Sequence, residues 1–208
     1  MNSDKDIVIT SAFRTPIGSF QGSLKDHKAT ELGTAVVKKC MEHSNLNGSE
    51  VDTVILGQVL QTGCGQNPAR QAAINSGIDK DKTATTINQV CGSGLAAVTL
   101  GFNSLKLNDT NIVIAGGQES MTNSPHYLNY RMEKNLSEEK LKDSMLIDGL
   151  IDAYDDYHMG VTAENVANKW GITRKDQDHF AFSSQSKTAN AQKAGKFRNE
   201  IIPIVAIA

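Results

Sequence analysis

Cysteine is scarce in this chain. Cys40, Cys64 and Cys91 are the three among 208 residues, an odd number with no C-x-x-C pair. That spacing argues against both a disulfide framework and a zinc site, so the expectation is a reducing cytoplasm and no metal. Long apolar runs are lacking too. None approaches the ~20 residues that a membrane span needs. Residues 1–10, MNSDKDIVIT, have neither the apolar core of a signal peptide nor the Arg-rich pattern of a transit peptide. No membrane partner is expected. Lys and Arg form no dense cluster and the formal net charge is −2, which argues against nucleic acid as a partner. There is no internal repeat and no low-complexity segment. With 39% hydrophobic and 21% charged residues the chain reads as a soluble globular protein, long enough for one large domain or two small ones.

Residues 85–119 organise the rest: TTINQVCGSGLAAVTLGFNSLKLNDTNIVIAGGQE. A Thr/Ile/Val-rich run at 85–90 has the composition of a buried strand. Cys91-Gly92-Ser93-Gly94 breaks it sharply. An apolar run at 95–107 predicts a helix, and 111–115 predicts a second strand ending in Gly116-Gly117. A cysteine at the start of a helix meets unpaired backbone N–H groups and partial positive charge, which favour the thiolate. Gly92 and Gly94 remove side chains beside the sulfur. Cys91 is therefore a candidate nucleophile. The same residue also fits a small, inert core cysteine. Gly92-x-Gly94-x-x-Ala97 matches a dinucleotide fingerprint, although the acidic residue wanted at the end of the next strand is missing there and Glu119 comes late. The elbow G-x-S-x-G fails, because Cys91 and Leu95 flank the Gly-Ser-Gly.

In chain order, residues 6–11 predict a strand and Arg14-Thr15-Pro16-Ile17-Gly18 a plain loop. Residues 27–43 have helical spacing, and 51–61 form a second strand candidate. Asn67 can cap a helix over 68–75 with Pro68 at its first position. The pattern is βαβαβαβ, an α/β fold with a largely parallel sheet and helices on both faces. After 121 the character changes to a mostly helical loop domain. The division is 1–120 and 121–208. Charged residues crowd 131–143, as on a solvated surface. Met145 to Tyr154 is a short amphipathic segment, and 162–170 a helix. Thr173-x-x-Asp176 is a capping box that opens a longer helix ending at Gly195. Trp170, Phe180 and Phe182 are expected in core contacts, and 200–208 as a strand-like tail.

Several segments together resemble the thiolases. NQVCGSGLAAV (88–98) is similar to the family's nucleophile motif. RTPIGSF (14–20), GQNPARQ (65–71), AGGQESM (115–121) and YHMGVTAENVA (157–167) also look like thiolase signatures, in the same order. The resemblance runs from about residue 7 onward. It implies an acetyl-CoA C-acetyltransferase, in which Cys91 takes the acetyl group from acetyl-CoA and passes it to a second acetyl-CoA, giving acetoacetyl-CoA and CoA. It implies no cofactor, coenzyme A thioesters being substrates. It also implies that His158 and Met159 line the acyl pocket, as in the short-chain biosynthetic type, and that the chain forms a homo-oligomer, a dimer or tetramer. RMEKNLSEEK (131–140) departs from the Gly-rich loop that helps thiolase tetramers form.

Thiolases are roughly twice this length. Their Gly-His-Pro motif, whose His activates the nucleophile, does not occur here, nor does the Cys-x-Gly-Gly motif or the Asn motif of an oxyanion hole. The resemblance puts these, the pantetheine loop and a late strand of the first domain beyond Ala208. The helix after Cys91 is apolar on most sides, and one sheet can cover only one of them. The expectation is exposed apolar surface and a need for a partner: another copy, or a separate C-terminal thiolase half. The competing functions are a non-catalytic thiolase remnant that only dimerises, and a dinucleotide-binding oxidoreductase.

Overall fold

The computed structural model describes residues 6–132, 137 and 140–205. Three strands form the main sheet: β1 (Thr53–Gly57), β2 (Thr83–Ile87) and β3 (Val113–Gly117). Their order is β2-β1-β3, all parallel, with Ile55 level with Thr85 and Ala115. Parallel neighbours need crossovers, and each is a helix. α2 (Pro68–Asn75) links β1 to β2, and α3 (Ser93–Lys106) links β2 to β3. α1 (Ala29–His43) precedes them.

β1 is central and buried throughout. Alternation sends its side chains to opposite faces. Val54 and Leu56 join Val37 and Met41 of α1 and Ala69, Ala72 and Ala73 of α2 in the core. On the other face α3 lies close enough that a Cβ on Gly101 would stand 3.0 Å from Val113 Cγ1. Helices thus cover both faces, as the βαβ pattern predicts. Each fully buried Val or Leu contributes about 1.5–3 kcal/mol, so β1 is the anchor of the sheet.

The strand predicted over 6–11 does not form. Residues 6–13 pair with no strand, and Val8 and Ile9 stay 70% and 80% exposed. A channel of about 590 Å3 separates this segment from the outer edge of β3, with Val36 and Val37 of α1 and Val98, Phe102 and Leu105 of α3 among its walls. Ladder hydrogen bonds need a neighbour at about 4.8 Å, and no described strand fills that gap. Side-chain contacts hold the segment instead: Thr10 Oγ1 lies 3.2 Å from Ser44 Oγ, Phe13 meets the His43 ring edge-on, and Arg14 is tied to the tail. It bridges Ile201, and its Nε donates to Glu200 Oε1 at 2.8 Å. Residues 206–208 of the predicted tail lie outside the described residues.

β3 enters the sheet through Asp52. Its Oδ2 accepts the N–H of Asn111 at 2.6 Å and of Ile112 at 3.1 Å. These two donors, with Lys82 nearby, hold the carboxyl below its ordinary range against a small opposing effect of burial. A depressed carboxylate contributes stability above its unfolded pKa, and that contribution is lost as pH falls through the folded value. Acidification below about pH 4 is therefore expected to cost the wild type more than Asp52→Asn. Urea midpoints at pH 7 and pH 3 check this, and equal losses in both proteins would refute it.

Beyond residue 121 come a two-residue antiparallel pair, β4 (His126–Tyr127) with β5 (Lys142–Asp143), and a π-helical turn at Leu146–Leu150. Residues 133–136 and 138–139 of the charged run lie outside the described residues. Two helices follow, α4 (Met159–Trp170) and α5 (Arg174–Lys193). The capping box opening α5 forms as expected: Thr173 Oγ1 accepts from Asp176 N at 3.2 Å and Asp176 Oδ2 accepts from Thr173 N at 3.0 Å. The core contacts expected of Trp170, Phe180 and Phe182 do not. These side chains are 71%, 76% and 72% exposed, and neither helix buries a residue. Among the described residues neither packs extensively on another named element, which leaves their apolar side chains largely uncovered. No helix of the described residues is long and apolar enough to cross a membrane.

Candidate active site

The C-terminal ends of β1 and β3 meet the start of α3, where open parallel sheets commonly build sites. The strand predicted at 85–90 begins and ends earlier, at Thr83–Ile87, because 88–92 fold into a turn. Val90 in that turn has φ +49°. For a β-branched residue this left-handed conformation costs on the order of 1–3 kcal/mol. Local hydrogen bonds hold it. Val90 N donates to Asn88 Oδ1 at 2.9 Å, and Ser93 Oγ donates to Val90 O at 2.6 Å while accepting from Gln89 N at 2.8 Å. The strain sits one residue before Cys91.

Cys91 is exposed, two residues ahead of α3, with Gly92 as the helix cap. It opens on a cavity of about 450 Å3. Gly57, Gln58, Val59 and Leu60 form one wall. Gly117, Gln118, Glu119 and Met121 form another, and Gly149 and Leu150 of the π-helical turn close the side. The inert-core reading of Cys91 does not fit this exposure.

His158 and Met159 are not among the residues lining this cavity. His158 is the N-cap of α4, its Nδ1 accepting from Gly160 N at 2.9 Å. That bond leaves Nε2 as the N–H of the neutral ring. The His158 backbone forms an antiparallel bridge with Ile151, next in sequence to the cavity residue Leu150. Met159 is 44% exposed at the first position of α4.

Three polar residues at this site escape a sequence reading. Gln58, 1% exposed, donates through Nε2 to Leu60 O at 2.9 Å and to Cys64 Sγ at 3.3 Å. Its Oε1 accepts from Gln118 Nε2 at 2.9 Å. Gln118 Oε1 is buried with no hydrogen-bond partner among the described residues. Glu119 turns back toward β1, accepting from Val59 N at 2.8 Å and Leu60 N at 3.3 Å. Burial pushes its carboxyl above the ordinary range, opposed by the N–H groups of Val59, Leu60 and Ser120. The run Gln118-Glu119 directly after a glycine-ended strand was the available signal. Since those two amides engage the carboxylate, Glu119 also does not serve the dinucleotide reading, which wants a free acid for a ribose.

The arrangement offers a thiol at a helix start, small residues around it, and a concave space large enough for a short acyl group. Residues 7–208 match the family model described as thiolase, N-terminal domain. An acetyl-CoA acetyltransferase of Rhizobium meliloti (strain 1021) is 51% identical over 203 residues, covering 98% of this chain and 52% of its own length. One from Pseudomonas aeruginosa is 51% identical over 201 residues, covering 96% and 51%. A probable acetyl-CoA acetyltransferase of Escherichia coli (strain K12) is 51% identical over 202 residues, covering 97% and 51%. The chain spans about half the length of these relatives. On the turn, the sheet and this match together, the chain belongs to the thiolase family and corresponds to its N-terminal domain.

Proposed function

We propose that this polypeptide carries the acyl-accepting nucleophile of an acetyl-CoA C-acetyltransferase, and that Cys91 is that nucleophile. The observation that carries the reading is Cys91 itself: exposed, two residues before α3, at a cavity walled by the ends of β1 and β3. In the first half-reaction the Cys91 thiolate attacks the carbonyl carbon of acetyl-CoA. A new S–C bond forms, the C–S bond to coenzyme A breaks, and the coenzyme A thiolate leaves and takes up a proton. The backbone N–H of Cys91, beside the positive end of α3, stabilises the oxyanion. In the second half-reaction another acetyl-CoA loses an α-proton, and its carbanion attacks the acetyl-cysteine carbonyl. Acetoacetyl-CoA forms and Cys91 is regenerated.

His158 and Met159 do not line the cavity, and in this reading they border it through the bridge to Ile151, next to the wall residue Leu150, as candidate acyl contacts. Glu119 and Cys91 are the two ionisable residues on the cavity wall, so deprotonating the second acetyl-CoA falls to groups outside it. A separate C-terminal thiolase half supplies them. The chain alone is then expected to acetylate but not to turn over. Incubation with acetyl-CoA followed by peptide mass spectrometry tests this. Acetyl on Cys91, and none on Cys40 or Cys64, supports the reading. An unmodified Cys91 that iodoacetamide also leaves untouched favours the remnant reading instead.

A further inference from the structure

The turn that carries Cys91 holds one of its residues in a conformation that residue does not prefer. Gly92 N donates to Gln89 O at 3.1 Å, closing a four-residue turn with Val90 and Cys91 at its centre. Val90 takes the first central position with φ +49°. Glycine, asparagine and aspartate dominate that position when φ is positive. A β-branched residue there goes back to extended backbone unless something holds it. From φ +49° that return swings the chain by roughly 170° about the Val90 N–Cα bond. The sulfur stands on the very next residue.

Side-chain bonds hold Val90 in place, two of them from Ser93. Ser93 Oγ donates to Val90 O at 2.6 Å and accepts from Gln89 N at 2.8 Å. Asn88 Oδ1 adds a third, accepting from Val90 N at 2.9 Å. Ser93 thus grips the two residues before Cys91. It is itself fixed, being 4% exposed, with its Cβ so near β1 that a Cβ on Gly57 would stand 2.5 Å from it. The grip is therefore anchored to the end of β1, which is a wall of the Cys91 cavity.

We propose that Ser93 is a positioning residue for Cys91: its hydroxyl keeps Val90 left-handed, and that conformation keeps the sulfur at the cavity. The proposal rests on the reading of Cys91 as nucleophile and goes beyond it. Ser93 acts here through the backbone, not on the reacting atoms.

The experiment is a double-mutant cycle on the rate of Cys91 alkylation by iodoacetamide. Peptide mass spectrometry reads it, with Cys40 and Cys64 as internal references. The proteins are the wild type, Ser93→Ala, Val90→Gly and the double variant. Ser93→Ala is expected to slow Cys91 by about five-fold or more, with Cys40 and Cys64 unmoved. Glycine takes a positive φ without strain. In the Val90→Gly background, loss of the hydroxyl is therefore expected to cost less than about two-fold. A serine that merely packs would show no such rescue. Cys91 alkylated at the wild-type rate or faster in Ser93→Ala overturns the proposal. So does an equal loss in both backgrounds. A wild-type Cys91 that iodoacetamide leaves untouched overturns it too, since the sulfur is then not presented. Should Ser93→Ala unfold, circular dichroism of the double variant decides: a folded double variant supports the proposal and an unfolded one overturns it. Alkylation needs no acetyl-CoA, so failure of acetyl transfer leaves these ratios measurable and the two failures are separate results.

Discussion

Gly57→Ala is expected to destabilise the fold by about 3 kcal/mol and to slow Cys91 alkylation. Gly57 ends β1 where the start of α3 crosses it. A Cβ there would stand 2.5 Å from Ser93 Cβ, 2.6 Å from Ser93 C and 2.8 Å from Gly94 N. Two of those three atoms are backbone, so no rotamer change relieves the clash. β1 is buried and paired on both edges, so α3 must move instead. Ser93 moves with it, and Ser93 clamps the strained turn at Val90. Stability and thiol reactivity should fall together. Gly116→Ala is the control: the added Cβ meets only Leu56 Cδ2, at 4.0 Å, and the change should stay within about 1 kcal/mol. Urea denaturation with alkylation rates measures both. A Gly57→Ala protein as stable as Gly116→Ala would show that α3 is not seated as described.

The second large effect belongs to Asn67→Ala, at about 2–3 kcal/mol. Asn67 caps α2, its Oδ1 accepting from Arg70 N at 3.2 Å. The same oxygen accepts from Thr86 Oγ1 at 2.8 Å, and Nδ2 donates to Ala84 O at 3.0 Å. One side chain therefore ties the helix to β2. Loss of the cap costs about 1 kcal/mol. Asn67 also has φ +42°, a region that asparagine tolerates better than alanine. Asn67→Gly should recover the backbone share but not the bonds. Asn67→Asp should be mildest, losing only the donation to Ala84 O. Thermal unfolding of the three variants should rank them Asp, Gly, Ala in decreasing stability, and an alanine variant at wild-type stability would refute the coupling.

What could be read from the residues was what is decided locally. Asn67-Pro68 announced the start of α2, and Thr173 with Asp176 that of α5, because a cap is made within a few residues. The stretch 85–119 gave strand, turn, helix and strand in the right order. It missed the boundaries by two residues or so, since composition does not show that Asn88 and Ser93 pull 88–92 into a turn. Pairing and packing were less legible. Residues 6–11 have strand composition, yet a strand needs an edge at the right distance. Trp170, Phe180 and Phe182 have the composition of a core, yet among the described residues they stay largely exposed. Glu119 was weighed only as a late acid for a dinucleotide, because its partners Val59 and Leu60 lie about sixty positions earlier. The all-apolar helix after Cys91 was read soundly. Its buried positions Ser93, Ala97 and Gly101 form one stripe, while Leu95, Leu100 and Phe102 are 74%, 45% and 46% exposed.

The channel beside β3 has a colloidal consequence. β3 pairs with β1 on one side only among the described residues, and its other edge presents ladder donors and acceptors toward an apolar trough. Such an edge is a template on which strands of separate molecules join. When the two joining surfaces differ, the contact repeats without closing and filaments or precipitates grow. Loss of soluble polypeptide is then expected to rise with its own concentration during purification.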